Sequence, residues 1–255
     1  MLDAVVAFTG VSPGALLIAM AVTAIAATLQ GTVGLGFGLV SVPTLAMVDP
    51  RLSPIPQMLV ILPLVLSMAW SERHGIDWTG FGQIVLGELP GAALGYLLVE
   101  HIDRAGLELA IAVLIGLAVV VAMRNADRAP EGTAPPSGGM RFAAGWVSGT
   151  SSYVAGIGGP PIALLYRNAS GPTLRGTLAA IFAVGLTITI TSRTTAGHIT
   201  LGDVRIALVL LPFVLLGLRL SRALKSWVEG PRLRRSVLLV SGAAALALAV
   251  RTLVG

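Results

Sequence analysis

Two glycine-rich stretches interrupt the apolar segments of this chain and decide what kind of fold it can form. They read LQGTVGLGFGLVSVPT at residues 29–44 and VSGTSSYVAGIGGPP at residues 147–161. Within a helix, glycine is less favourable than alanine by about 1 kcal/mol, and proline by about 3 kcal/mol. The two clusters therefore predict a break in the helix at each of these places.

The sequence around these stretches is too apolar for a soluble protein. Of its 255 residues, 55% are hydrophobic and 11% charged, whereas soluble domains carry about 25% charged residues. The composition excludes soluble enzymes, nucleic-acid-binding domains and disordered proteins, and it predicts an all-α polytopic membrane protein. The predicted apolar segments cover residues 14–29, 32–48, 53–70, 81–99, 106–123, 142–166, 174–192, 204–219 and 236–254.

The absence of cysteine excludes thiolate metal sites and iron–sulfur clusters. The His, Asp and Glu residues show no metal-ligand spacing, so we expect neither a metal nor a cofactor.

The two glycine-rich stretches occupy matched places in an internal repeat. At a constant offset of 118 residues, Gly31, Thr32, Gly38, Pro43 and Pro54 fall on Gly149, Thr150, Gly156, Pro161 and Pro172. Matched glycines and prolines are harder to obtain by chance than matched leucines. We therefore predict a first transmembrane repeat at 1–123, a Pro/Gly-rich cytoplasmic linker at 124–141 and a second repeat at 142–255.

The distribution of basic residues predicts the orientation of the two repeats in the membrane. Lys and Arg concentrate on the cytoplasmic side of a membrane, and the segment 219–235 holds six of the 17 basic residues against one acid. If the broken segment 142–166 is a re-entrant hairpin, the basic residues of the linker also lie inside. Each repeat is then a hairpin followed by three transmembrane helices, which makes the repeats inverted. The alternative is eight plain helices in two parallel repeats.

The helix breaks are the predicted substrate site. A half-helix that restarts at a break directs its N–H groups and positive dipole end into the interior, and Pro43 and Pro161 suit the first turn of such a helix. The alternative is that the small residues only allow close helix packing. The predicted substrate-binding residues are Gln30, Gly31, Thr32, Gly34, Gly36, Gly38, Pro43, Gly149, Thr150, Ser151, Ser152, Gly156, Gly158, Gly159, Pro160 and Pro161.

Four further polar residues are candidates for function. Glu88 lies inside an apolar segment, where it either carries a coupling proton or sits near the membrane interface. Arg193 either binds an oxyanion through two hydrogen bonds or extends its side chain to the interface. Arg175 and Gln57 occupy equivalent helix starts at the 118-residue offset and are weaker candidates for anion contacts.

The paired, proline-terminated glycine-rich segments resemble those of the TauE/SafE-type sulfite exporters, a sulfonate and sulfite permease family. The resemblance covers essentially the whole chain. It implies a carrier of sulfite, sulfonates or similar anions in the bacterial inner membrane, although substrate and direction differ within the family.

We therefore expect a secondary carrier that works by alternating access, with no enzymatic activity. We expect a small anion and the lipid bilayer as its partners. The protein could also form a homo-oligomer, and we expect no nucleic-acid partner. The alternatives are an anion-selective channel and an intramembrane hydrolase.

Overall fold

The computed structural model describes residues 2–103, 136–166 and 169–224, together with residues 106, 109 and 113. All regular elements in this part of the chain are helical. Residues 124–135 of the predicted linker, nearly all of the segment 106–123 and the last segment, 236–254, lie outside the described residues.

The described helices occur in two similar series. The helices are α1 (Leu2–Thr9), α2 (Pro13–Val33), α3 (Phe37–Val48), α4 (Ile55–Ser71), α5 (Trp78–His101), α6 (Gly138–Ala155), α7 (Gly159–Leu165), α8 (Gly171–Thr195) and α9 (Leu201–Leu224). A long helix is followed after a short break by a shorter one in both α2–α3 and α6–α7.

Polar N-caps fix where several of these helices begin. Ser12, Ser137 and Ser170 each accept a hydrogen bond from a backbone N–H three residues later, at the starts of α2, α6 and α8. Asp77 does the same at the start of α5. Such caps satisfy N–H groups that have no partner within the helix.

Five of the described helices are long and apolar enough to cross a membrane. They are α2, α4 with its preceding turn (Pro50–Ser71), α5, α8 and α9. Large apolar side chains on these helices point outward, among them Trp70, Leu86 and Leu208, which are 57–72% exposed. An apolar outer surface of this kind fits a hydrocarbon environment, and it confirms the predicted polytopic membrane protein.

Glycines allow α5 and α6 to pack backbone to backbone. Gly87, Gly91 and Gly95 recur every fourth residue on α5, so they share one face of the helix. A Cβ atom on Gly91 would lie 2.2 Å from the carbonyl oxygen of Trp146 in α6. Small residues at this spacing are what lets membrane helices approach closely.

The corresponding contact of the other series joins α9 to α2. A Cβ atom on Gly31 would lie 2.2 Å from Ser221 Oγ, and one on Gly217 would lie 2.6 Å from the carbonyl oxygen of Ala24. The two remaining long helices, α4 and α8, pack against each other.

The two broken helix pairs each leave and return to the same end of the bundle. For α6–α7, Arg141 near the start and Tyr166 at the end both reach Asp77, with Nη2–Oδ2 at 3.4 Å and OH–Oδ2 at 2.9 Å. For α2–α3, Arg51 after the pair donates from Nη1 to the carbonyl oxygen of Gly10 before it, at 2.8 Å. The 17 residues of α4, about 25 Å of helix, separate Arg51 from the Asp77 end.

The pKa of the Asp77 carboxyl is lower than its ordinary value. Partial burial raises the pKa, but hydrogen bonds from the Gly80 N–H and the Tyr166 hydroxyl and the charge of Arg141 outweigh that effect. The ionised carboxylate therefore stabilises the joint where α5, α6 and α7 meet.

Replacing Gly91 by alanine should force α5 and α6 apart. We expect the free energy of unfolding to fall by about 1–3 kcal/mol, the usual cost of overpacking, measured as a lower melting temperature in detergent. The matched control is Gly82→Ala on the same helix, where no heavy atom lies within 4 Å of an added Cβ. Equal melting temperatures for the two variants would contradict the close packing.

Replacing Asp77 by asparagine should lower stability at neutral pH, because the ionised carboxylate is the form that its partners stabilise. Since the folded-state pKa lies below the unfolded value near 3.9, this stabilisation is complete above that value and is lost as the pH falls through the folded-state pKa. The melting-temperature gap between wild type and Asp77→Asn should thus be constant from about pH 6 to 8 and shrink below about pH 4. A gap that persists unchanged in acid would rule out this role.

Candidate functional site

The first helix break lies at residues 34–36, within the stretch 29–44 in which the sequence predicted it. Gly34 and Gly36 have φ angles of 91° and 125°, a backbone conformation that glycine adopts readily and other residues rarely do. Residues 30–32 of that stretch form the last turn of α2. Gly31 packs closely against α9 and does not interrupt the helix.

The prediction that Pro43 occupies the first turn of a restarted helix was wrong, whereas the same prediction for Pro161 is confirmed. Because α3 begins at Phe37, Pro43 is the seventh residue of the helix and is buried inside it. In the second series, α7 begins at Gly159, so Pro160 and Pro161 occupy its first turn, where proline suits the helix geometry.

The side chain of Gln30 bridges the first break. Its Nε2 donates to the carbonyl oxygen of Gly34 at 3.1 Å, and its Oε1 accepts from the N–H of Phe37 at 3.1 Å. Gln30 is 2% exposed. One buried amide thus satisfies a carbonyl at the end of α2 and an N–H at the start of α3, groups that a broken helix leaves unpaired.

The second break follows a left-handed glycine at the end of α6. Gly156 has a φ of 71°, and its N–H bonds the carbonyl oxygen of Ser152 at 2.8 Å. The N–H of Ile157 bonds the carbonyl oxygen of Ser151 at 3.4 Å. This helix-ending pattern accounts for the break predicted between 156 and 161.

The two breaks touch each other in the middle of the molecule. A Cβ atom on Gly38 would lie 2.6 Å from the carbonyl oxygen of Gly156 and 3.1 Å from Cγ1 of Ile157. Gly38 and Gly156 are also partners in the 118-residue match. Two segments that are 118 residues apart in the sequence therefore meet at equivalent positions.

A cavity lies at this meeting point. Eight of the residues predicted as the site line it: Gln30, Gly36, Gly38, Ser152, Gly156, Gly158, Gly159 and Pro160. The rest of the lining is apolar and comes from Leu35, Leu39, Ile61, Ile157, Phe182 and Leu186. Ile61, Phe182 and Leu186 belong to α4 and α8, and nothing in the sequence distinguishes them from other apolar helix residues.

The other predicted substrate-binding residues lie beside the cavity or in helix contacts. Thr150 Oγ1 donates to the carbonyl oxygen of Gly91 at 3.0 Å, and a Cβ on Gly149 would lie 2.5 Å from the carbonyl oxygen of Glu88. The residues outside the lining are Gly31, Thr32, Gly34, Pro43, Gly149, Thr150, Ser151 and Pro161. For Gly31, Gly149 and Thr150 the structure shows the close packing that was the alternative interpretation.

Arg193 is buried, so the interpretation that it extends to the membrane interface was wrong. The residue is 4% exposed. Its Nη2 donates to the carbonyl oxygen of Tyr153, and its guanidinium carbon lies 4.7 Å from the centre of the Tyr153 ring. Arg193 thereby holds the last turn of α6, just before the second break, and favourably opposes the negative end of that helix dipole.

Arg175 and Gln57 are both outside the cavity lining. Arg175 forms an ion pair with Glu72, with Nε and Oε1 separated by 3.2 Å. Gln57 is buried and donates from Nε2 to the carbonyl oxygen of Leu52 at 3.2 Å. These two helix-start residues connect neighbouring parts of the bundle.

Glu88 lies in the middle of α5 and is 2% exposed. The interpretation that it sits near the membrane interface was wrong, because α5 begins three residues before the apolar segment that the sequence marked. Its Oε1 accepts a hydrogen bond from Ser148 Oγ in α6 at 3.2 Å. Ser148 is not among the predicted binding residues, since a serine beside a glycine is indistinguishable from a packing residue.

Comparison with known proteins agrees with the sequence resemblance. The family model described as sulfite exporter TauE/SafE matches residues 18–248. A protein of Cupriavidus necator named "Probable sulfite/organosulfonate exporter TauE" is 27% identical over 146 residues, which is 54% of this chain. The match spans 56% of that relative's length. No solved structure matches the chain.

The family match extends over nearly all of the chain and includes both helix breaks. Together with the five apolar helices, it confirms the predicted family and the transmembrane location, and the bacterial relative indicates the inner membrane. The chain is an integral membrane protein of the sulfite exporter TauE/SafE family.

Proposed function

We propose that the protein is a secondary carrier that moves a small sulfur oxyanion, sulfite or a sulfonate, across the membrane through the cavity between its two helix breaks. The observation that carries the proposal is the contact of Gly38 with Gly156, which brings both breaks to one cavity. The name of the Cupriavidus necator relative supports the substrate class.

The chemistry of the cavity suits an anion that must bind and then leave. Gln30 and Ser152 supply polar side chains, and the start of α3 directs the positive end of a helix dipole toward the glycines. No Lys or Arg of the described residues lines the cavity. Neutral donors bind an anion without the strong attraction of a buried cation, which favours its release on the far side.

The apolar part of the lining fits the organic half of a sulfonate. Phe182 and Leu186 lie one turn apart on α8 and face the same cavity as Ile61 of α4. An apolar wall opposite a few polar groups is the usual composition of a small-molecule site.

The arrangement of the helices supports two inverted repeats, 1–123 and 142–255, each opening with a re-entrant hairpin. The ends of α2–α3 meet at Gly10 and Arg51, whereas the ends of α6–α7 meet at Asp77, at the opposite end of α4. The close contact of α5 with α6 has its counterpart in that of α9 with α2. Two hairpins that enter from opposite sides are suited to alternating access.

The positive-inside rule favours a cytoplasmic location for the Asp77 end. Arg73, Arg141, Arg175 and Arg222 all lie at this end of the described bundle, next to the predicted cytoplasmic linker. The hairpin α2–α3 then opens toward the periplasm. Association into a homo-oligomer stays a prediction.

Transport should be measured with the purified protein in proteoliposomes. We expect saturable movement of radiolabelled sulfite or methanesulfonate, with no unitary current in planar bilayers, because a carrier must change conformation for each anion. Unitary currents would identify a channel instead. Absence of flux for both anions, in both directions, would contradict the proposed function.

Leu186→Trp should block the cavity without disturbing the membrane-facing surface. Overpacking costs about 1–3 kcal/mol, so we expect transport to fall by about tenfold or more. The matched control is Leu208→Trp, at a position on α9 that is 57% exposed, and it should transport like wild type. If both variants reach the membrane and both transport normally, the cavity is not the route.

A further inference from the structure

Glu88 is a buried carboxyl group midway along α5, with few polar neighbours. It projects from α5 between α6 and α8, where a Cβ atom on Gly185 would lie 2.7 Å from Oε2. Oε1 accepts from Ser148, and Oε2 has no hydrogen-bond partner among the described residues. The absence of a side chain at Gly185 leaves room for this carboxyl group.

No charged side chain of the described bundle compensates Glu88. The ionisable residues of the two helices packed against it are Arg141 and Tyr153 on α6 and Arg175 and Arg193 on α8. Arg141 and Arg175 bind carboxylates near the starts of their helices, and Arg193 contacts Tyr153. Each lies at least five residues, about 7 Å of helix, from the position that faces Glu88.

A hydroxyl group connects Glu88 to the wall of the cavity. Gly158 lines the cavity, and a Cβ atom there would lie 2.7 Å from Ser148 Oγ. The same Oγ donates to Glu88 Oε1. The backbone of Gly158 therefore lies between the cavity and the Ser148–Glu88 pair.

We propose that Glu88 and Ser148 form a proton-binding site coupled to the anion in the cavity, so that one proton crosses the membrane with each anion. This inference rests on the proposed function. The carboxyl group takes up a proton while the cavity is open to one side of the membrane. It releases the proton when the cavity opens to the other side. Ser148 positions the carboxyl group and links it to the cavity wall.

The coupling follows from electrostatics. A carboxylate and a bound anion close together in a medium of low dielectric constant repel each other strongly. An ionised carboxylate without a cation is also unfavourable in apolar surroundings, so the anion-loaded protein holds Glu88 protonated. Proton and anion then move together, and the loaded carrier gains no net charge from a monovalent substrate.

The experiment compares two modes of transport in proteoliposomes containing the full-length protein. Exchange of unlabelled for radiolabelled methanesulfonate is measured without a gradient, and accumulation is driven by one pH unit at zero membrane potential. Methanesulfonate stays ionised throughout, so the gradient cannot act by protonating the substrate. If one proton moves with each anion, this gradient supports about tenfold accumulation.

We expect Glu88→Gln to retain exchange and to lose the accumulation driven by the pH gradient, because glutamine copies the neutral carboxyl group but binds no proton. The matched control is Glu100→Gln at the exposed end of the same helix, which should keep both modes. Loss of both modes by Glu88→Gln, or retention of both, would overturn the proposal. Absence of exchange by wild type with methanesulfonate and also with sulfite would instead overturn the proposed function.

A second measurement needs no variant. A pH dye enclosed with the wild-type protein should report proton movement in the same direction as a methanesulfonate gradient. Ser148→Ala should slow this proton movement while leaving exchange nearly unchanged, and Ser148→Thr should restore it. Anion flux without proton flux in wild type would overturn the proposal even if Glu88→Gln failed to fold.

Discussion

Every polar group of a backbone that breaks inside a membrane must find a partner within the protein, and this requirement governs the rest of the structure. At the first break, one glutamine amide satisfies a carbonyl of Gly34 and the N–H of Phe37. At the second, left-handed Gly156 lets the chain turn while its own N–H stays bonded. These hydrogen bonds stabilise the two breaks, which approach each other and line one cavity.

Close packing of glycine-containing helices supplies the frame that holds the breaks in place. The faces of α5 and α6 meet backbone to backbone, and α9 approaches α2 in the same way. The contacts leave space for small groups only, so the depth of each break relative to its neighbours is fixed. Polar contacts hold the two ends of each broken helix pair together. Those of α6–α7 meet at Asp77, and those of α2–α3 meet at Arg51, at the opposite end of the bundle.

Charge is distributed unevenly through this frame. The ion pairs of the described residues lie at the ends of the bundle, whereas the cavity is lined by neutral groups. Glu88 is the exception, since its carboxyl group is buried midway along α5 with a single hydroxyl partner. A neutral cavity beside one proton-binding group is the composition expected of a carrier that moves an anion without building up charge.

The sequence by itself determined the membrane class, the two broken segments, their match across the halves and the family, because hydropathy and the cost of glycine and proline are properties of a local segment. The sequence could not determine which glycine ends a helix and which glycine packs against a neighbouring helix. Gly31 lies inside α2 and packs against α9, whereas Gly34 and Gly36 form the break and Pro43 falls inside α3. Likewise, only the tertiary structure buries Arg193 and joins Glu88 to Ser148, since these contacts depend on helices distant in the chain.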